Sequence, residues 1–233
     1  MKNKKVAISQ SNYIPWKGYF DSIACVDEFI LYDDMQYTKR DWRNRNKIKT
    51  QNGLKWLTIP VEVKGKFYQK INETKISDKE WHINHLNLLK NSYVKSRCYN
   101  EVLPFIESLY TTATQETISE VNYHFITKIC NYLNITTNIT FSSDYNLLKE
   151  GKTERLVNLC EQLNASEYFS GPAAKNYMEE SLFLKKNIKV SYYDYSNYAE
   201  YEQINGAFEH GVTILDLIFN EGKNAVNFLN HST

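Results

Sequence analysis

Positions 32–45 carry the densest reactive chemistry of the chain: Tyr32, Asp33, Asp34, Gln36, Tyr37, Lys39, Arg40, Asp41, Trp42, Arg43, Asn44 and Arg45. Asp33, Asp34 and Lys39 are the candidate catalytic groups, since a carboxylate can bind a cation or accept a proton. Lys39, Arg40, Arg43 and Arg45 would hold phosphates or a carboxylate, the guanidinium groups through bidentate contacts. Tyr37 and Trp42 are costly to leave in water, and with Gln36 and Asn44 they suit the wall of a small-molecule site. No apolar residue recurs there at helical spacing, so the segment reads as a loop. The plainer alternative is a solvated loop in which Asp33, Asp34 and Asp41 neutralise the cations.

A second polar run contains Gln10, Ser11, Asn12, Tyr13, Pro15, Trp16 and Gly18 and leads from an apolar stretch into a helical pattern. The free N–H groups and positive dipole end of a helix starting there suit an anion, typically phosphate. Neither a Walker loop nor G-x-G-x-x-G is present. Downstream, Ser170 and Gly171 sit between a strand and a helix, as a backbone cradle or simply a tight turn. Without G-x-S-x-G around it, Ser170 is no activated serine. Arg155, on a helix opened by Thr153, would face a phosphate or carboxylate, and Tyr177 follows the Ser170 turn. His82 and His85 share a helix face at metal-ligand spacing. No third ligand lies nearby, so no metal site is expected, and a hydrogen-bonded interface histidine is the simpler reading. Four scattered cysteines without C-x-x-C are read as packing residues with reduced thiols.

The elements that would position these residues follow from periodicity. Strands are expected over 6–9 and 28–32 with a helix opening near Pro15 between them, a βαβ unit with a right-handed crossover. In such a sheet ligands lie beyond the carboxyl ends of the strands, where both polar runs fall. Asn52-Gly53 marks a hairpin, and a further strand is expected near Lys70. Residues 79–133 show three helical stripes. A second βαβ run is legible over 139–195, including a helix over 175–185. An amphipathic helix over 213–220 stops at Gly222. The expected fold is α/β: one domain over 1–233, with a mainly parallel, doubly wound sheet and the 79–133 helical section packed against it.

The formal charge of +1, from 28 basic and 27 acidic residues, creates no global field for nucleic acid or an anionic membrane. No stretch approaches the ~20 apolar residues of a membrane span, and the basic start lacks a signal-peptide core. A cytoplasmic protein acting on small molecules is expected. Nothing in the sequence sets an oligomeric state. Eighteen tyrosines against 11 phenylalanines suit walls for rings or sugars, although compositional drift towards Lys, Asn, Ile and Tyr explains the excess equally well.

Gln10 with Tyr13-Ile14-Pro15-Trp16-Lys17-Gly18-Tyr19-Phe20, then the run from Asp34 to Asn46, then Trp56-Leu57-Thr58-Ile59-Pro60-Val61, resembles the WbqC-like protein family. The resemblance continues through Thr153-Glu154-Arg155-Leu156, Tyr168-Phe169-Ser170-Gly171-Pro172, Tyr177, Tyr201-Glu202-Gln203 and the 214–222 segment, and it adds Gln203 to the candidate binding residues. Family members occur in bacterial surface-polysaccharide clusters. Some have been proposed to attach glycine or another acyl group to an amino sugar, as in O-antigen of lipopolysaccharide. A first strand, a Pro-x-x-Gly turn into a helix and a late strand-Ser-Gly-helix are also similar to adenylate-forming nucleotidyltransferases of the HIGH superfamily. Pantothenate synthetase, the nearest in logic, activates a carboxylic acid with ATP and passes the acyl group to an amine. Trp16-Lys17-Gly18-Tyr19 stands where that superfamily has His-x-Gly-His.

These resemblances imply a ligase or transferase joining a small acyl or aminoacyl donor to the amine of a nucleotide-linked amino sugar, with ATP and Mg²⁺ supplying activation. An acyl-CoA or aminoacyl-tRNA donor would use the same basic loop without ATP hydrolysis. The rival expectation is a non-catalytic nucleotide- or sugar-binding module in polysaccharide assembly.

Overall fold

The computed structural model describes residues 3–148 and 150–230. The chain enters through β1 (Lys5–Ser9), α1 (Lys17–Ala24) and β2 (Glu28–Leu31). β1 and β2 are parallel, with Ala7 opposite Phe29 and Ser9 opposite Leu31. A hairpin follows, β3 (Arg45–Thr50) and β4 (Gly53–Thr58), a separate two-stranded sheet. Gly53 closes its turn at φ 93, a conformation that costs glycine least. Three helices come next: α2 (Trp81–Tyr93), α3 (Tyr99–Thr111) and α4 (Ile118–Tyr132). The remainder is β5 (Asn138–Phe141), α5 (Lys152–Gln162), β6 (Glu167–Ser170), α6 (Glu180–Leu184), β7 (Lys189–Tyr192) and α7 (Ile214–Glu221).

Five strands form one parallel sheet in the order β5-β2-β1-β6-β7. Alternation along the strands sends residues to two faces. Val6, Ile8, Ile30 and Tyr168 pack with Val157 and Leu159 of α5 and Phe183 of α6. Ala7, Phe29 and Leu31 face Phe20 and Ile23 of α1 and the three-helix section, represented by Val121, Phe125 and Ile126. Apolar side chains on both sheet faces, each covered by helices, make the sheet doubly wound.

Four local expectations change. Residues near Lys70 form a 3-10 turn, Ile71–Glu73, because Glu73 accepts the Lys70 N–H and Thr74 donates to the Lys70 carbonyl; only Lys70 itself bridges Gln36. The expected helix over 175–185 splits into a 3-10 segment, Pro172–Asn176, and the short α6, with Tyr177 outside helical geometry at φ -143. β5 and β6 are not neighbours: β2 and β1 lie between them, so the second run crosses the sheet. The last helix, α7, expected to be amphipathic, is buried along its whole length and stops at Gly222 as expected. Its polar residues are partnered, Asp216 by the Tyr93 and Tyr201 hydroxyls (2.7 and 2.8 Å) and Glu221 by Arg97 (2.6 Å). Among the described residues no helix is long and apolar enough to cross a membrane.

Candidate functional site

The chain leaves β1 towards β2 on one side and later returns to lay β6 on the other. Between such strands the connections diverge and open a crevice beyond their carboxyl ends. A cavity of about 660 Å³ occupies that position. Gln10 follows β1, Tyr32 follows β2, Ser170 ends β6, and Tyr177 comes from the segment after it. Glu150, Gly151, Lys152 and Arg155, at the start of α5, also line it. Gly151 stands at φ 80 and offers no side-chain cap, so the positive end of α5 opens on the cavity with two cations beside it. Glu154 folds back over Gly151, whose missing Cβ would meet its carboxylate. Burial pushes the Tyr32 phenol up, and its hydrogen bond with Arg155 partly offsets this.

A second cavity, about 330 Å³, is lined by Asn12, Pro15, Trp16, Trp42, Asn46, His210 and Gly211. Gln10 and Asn12 are two positions apart, so the two cavities flank one short segment.

The model of the WbqC-like protein family matches residues 10–228 of the chain. The chain belongs to the WbqC-like family. It is 50% identical over 228 residues to an uncharacterized protein, Rv1507c, of Mycobacterium tuberculosis (strain ATCC 25618 / H37Rv), with 98% of each chain covered. No solved structure matches.

In this WbqC-like protein the residues singled out from sequence separate into three sets. Gln10, Arg155, Ser170 and Tyr177 share the switch-point cavity, with Gly171 next in the chain to Ser170. Pro15, Trp16 and Trp42 share the second cavity. The others line neither cavity, and most of them contact other parts of the protein. Tyr13 is fully buried, its hydroxyl within 2.8 Å of both His85 Nδ1 and the Tyr110 hydroxyl. Gly18 lies beneath the Trp16 indole, where a Cβ would collide with the ring. Tyr37 is buried, which raises its phenol to about 12. Asn44 donates to the Ile59 carbonyl, and Gln36 to that of Phe67. Gln203 accepts from Lys49 and donates to Tyr201 and the Glu209 carbonyl.

The dense loop is also turned inward. Asp33 is 1% exposed; Oδ1 accepts the Ser11 N–H at 2.8 Å and Oδ2 the Ser119 hydroxyl at 2.5 Å. Burial raises its carboxyl despite these donors. Asp34 accepts from Ser142 at 2.6 Å and Asn72 at 3.3 Å, with Lys70 at 3.6 Å. Arg43 donates to the Ser11 carbonyl and to Asn12 Oδ1. Arg45 donates to the Arg40 carbonyl and lies 4.1 Å over the Trp56 ring. Lys39 and Arg40 are exposed.

His82 and His85 do not form a ligand pair. The Nε2 of His85 lies 3.2 Å from the Thr58 carbonyl, which only accepts, so Nε2 donates and in the neutral ring Nδ1 accepts from Tyr13. Burial takes the imidazole down to about 4. Among the described residues no group of three or more His, Cys, Asp or Glu converges as a metal site. Reasoning from sequence overlooked Lys152 as a cavity residue, although its place at a helix start beside Arg155 was a usable signal. It also overlooked His210 and Asn46, whose approach to Trp16 nothing local announces.

Proposed function

We propose that this protein is a nucleotide-using enzyme forming an amide between a small acyl or aminoacyl group, such as glycine, and the amine of a nucleotide-linked amino sugar during bacterial surface-polysaccharide synthesis. The observation carrying the nucleotide part is the cavity at the reversal of strand order. It falls within the size range of ligand pockets, and its Lys152, Arg155 and α5 N-terminus suit phosphates while Tyr32 and Tyr177 offer ring faces. The acyl chemistry is carried by the family's association with O-antigen clusters and by the likeness to adenylate-forming nucleotidyltransferases. In that scheme a carboxylate oxygen attacks ATP and releases pyrophosphate. The sugar amine, having lost its proton, then attacks the acyl carbon and releases AMP. Both Asp33 oxygens already accept protein donors, so Mg²⁺ would enter with the nucleotide phosphates.

A non-catalytic binding module is the second reading, favoured by Asp33 and Asp34 being tied to protein donors. The test incubates purified protein with ATP, Mg²⁺, glycine and nucleotide-linked amino sugars while following pyrophosphate, phosphate, ADP and N-acylated sugar. Nucleotide consumption requiring both other substrates supports the ligase. Product from an acyl-CoA or aminoacyl-tRNA donor without it replaces ATP in the scheme. Saturable nucleotide binding with no product from any donor leaves the module.

A further inference from the structure

The second cavity has walls of unusual composition. Among its lining residues none carries a fixed charge, so no side chain there would pair with a phosphate or carboxylate, and the N-terminus of α1 after Trp16 is the feature an anion could use. Trp16 and Trp42 supply flat apolar surface, and both are held in place by neighbours. Trp16 rests on Gly18 and meets Tyr195 and Tyr198 edge-on at 5.4 and 5.6 Å. Trp42 leans on Trp56 at 5.4 Å, and Trp56 is in turn covered by Arg45. Rings fixed before binding lose little entropy when a ligand stacks on them.

Polar groups complete the site. Arg43 can only donate, so the Asn12 oxygen is turned to it and the amide NH₂ remains as a donor at the cavity. His210 packs edge-on against Phe208 at 4.6 Å and contributes an imidazole that both donates and accepts. A purely hydrocarbon ligand would bury these groups unpaired, at a cost in binding. A ring with one apolar face and a rim of hydroxyls uses both the indoles and the polar groups.

We propose that the cavity between Trp16 and Trp42 binds an uncharged pyranose ring, such as that of a 2-acylamido sugar. The inference rests on the amide-forming reading only for which sugar is bound; the chemistry of the walls stands without it. The exposure of Trp42, 40%, places this wall at an open mouth, where a sugar attached to a larger group can enter. Because Gln10 lines the first cavity and Asn12 the second, a residue pair within about 7 Å along the chain separates nucleotide from sugar.

The test is an NMR titration of the wild-type protein, watching the indole N–H resonances of Trp16 and Trp42. Methyl glycosides of glucose and of 2-acetamido sugars are added, with adenosine and uridine as the competing class. Saturable shifts of both indoles with a glycoside are expected. Trp42→Ala should raise its dissociation constant about tenfold and Trp42→Phe less, while Tyr68→Ala, an exposed aromatic outside both cavities, should leave it unchanged. No saturable shift with any glycoside, stronger binding of a nucleoside at the same indoles, or indifference to Trp42→Ala overturns the proposal. ATP binding is measured in parallel. Sugar binding without ATP binding would remove the nucleotide reading and leave this one, and ATP binding alone would do the reverse.

Discussion

The backbone N–H of Tyr13 donates to the carbonyl of Trp42 at 3.0 Å, fastening the loop after β1 to the loop after β2. Two side chains reinforce the seam from either side. Arg43 reaches back to Ser11 and Asn12, and Asp33 takes the Ser11 N–H. Arg43 and Asp33, which look reactive in sequence, therefore hold the partition between two cavities.

Arg43→Lys should expose this role. Both contacts leave Nη1 while Nη2 faces Asp41 at 3.6 Å, and a single lysine ammonium cannot span all three partners, so at least one contact is lost. A loss of about 1–2 kcal/mol in unfolding free energy is expected from urea denaturation. Unchanged stability would mean that the seam does not depend on the guanidinium.

Asp33 is open to a paired test. Alanine leaves the Ser11 N–H and Ser119 hydroxyl buried without an acceptor and should cost roughly 2–3 kcal/mol. Asparagine can still accept from Ser11, while Ser119 rotates to accept from its NH₂, so Asp33→Asn should keep the fold and most ligand affinity and turnover. Loss of turnover by orders of magnitude in a folded Asp33→Asn would restore Asp33 to the chemistry. Burial raises the folded carboxyl, so its contribution to stability is complete below the ordinary carboxylate range and is lost as pH rises through the raised value. Wild type should lose stability relative to Asp33→Asn across that window.

His85 predicts acid sensitivity of the opposite sign. The unfolded imidazole takes a proton near its ordinary value of 6.5, whereas the buried ring resists until about 4. Its contribution is present above 6.5, declines as pH falls, and is gone below about 4, amounting to about 3 kcal/mol at most. Thermal melts between pH 4 and 7 should show this slope, and His85→Gln should flatten it. Equal slopes in the two proteins would place the titration elsewhere.

Arg155→Ala should weaken nucleotide binding at the switch-point cavity about ten- to a hundredfold, with an effect that shrinks as salt rises. Calorimetric titration at two salt concentrations reads both. A nucleotide affinity indifferent to Arg155 would move the phosphates away from α5.

Much of the scaffold was legible because it is written locally. The apolar runs of β1 and β2, the Asn52-Gly53 turn and three apolar stripes over 79–133 each depend on neighbours a few positions away. The strand-helix-strand order implied a parallel sheet with both polar runs at its carboxyl edge, and the larger cavity lies along that edge. Local hydrogen bonds defeated the expectation near Lys70, where Glu73 and Thr74 closed a 3-10 turn before a strand could pair.

What residue type and spacing determined, then, was which segments carry polar and aromatic chemistry and at which edge of the sheet they emerge. Only the tertiary structure decided which way each side chain turns. Asp33 became a buried acceptor because Ser119 of α4 arrives above it, and Tyr13 left the surface because His85 and Tyr110 surround its hydroxyl. Arg155 joined Gln10 because β6 returns beside β1, and His210 reached Trp16 from the far end of the chain. Burial and partnership are set by contacts distant in sequence, and no local pattern encodes them.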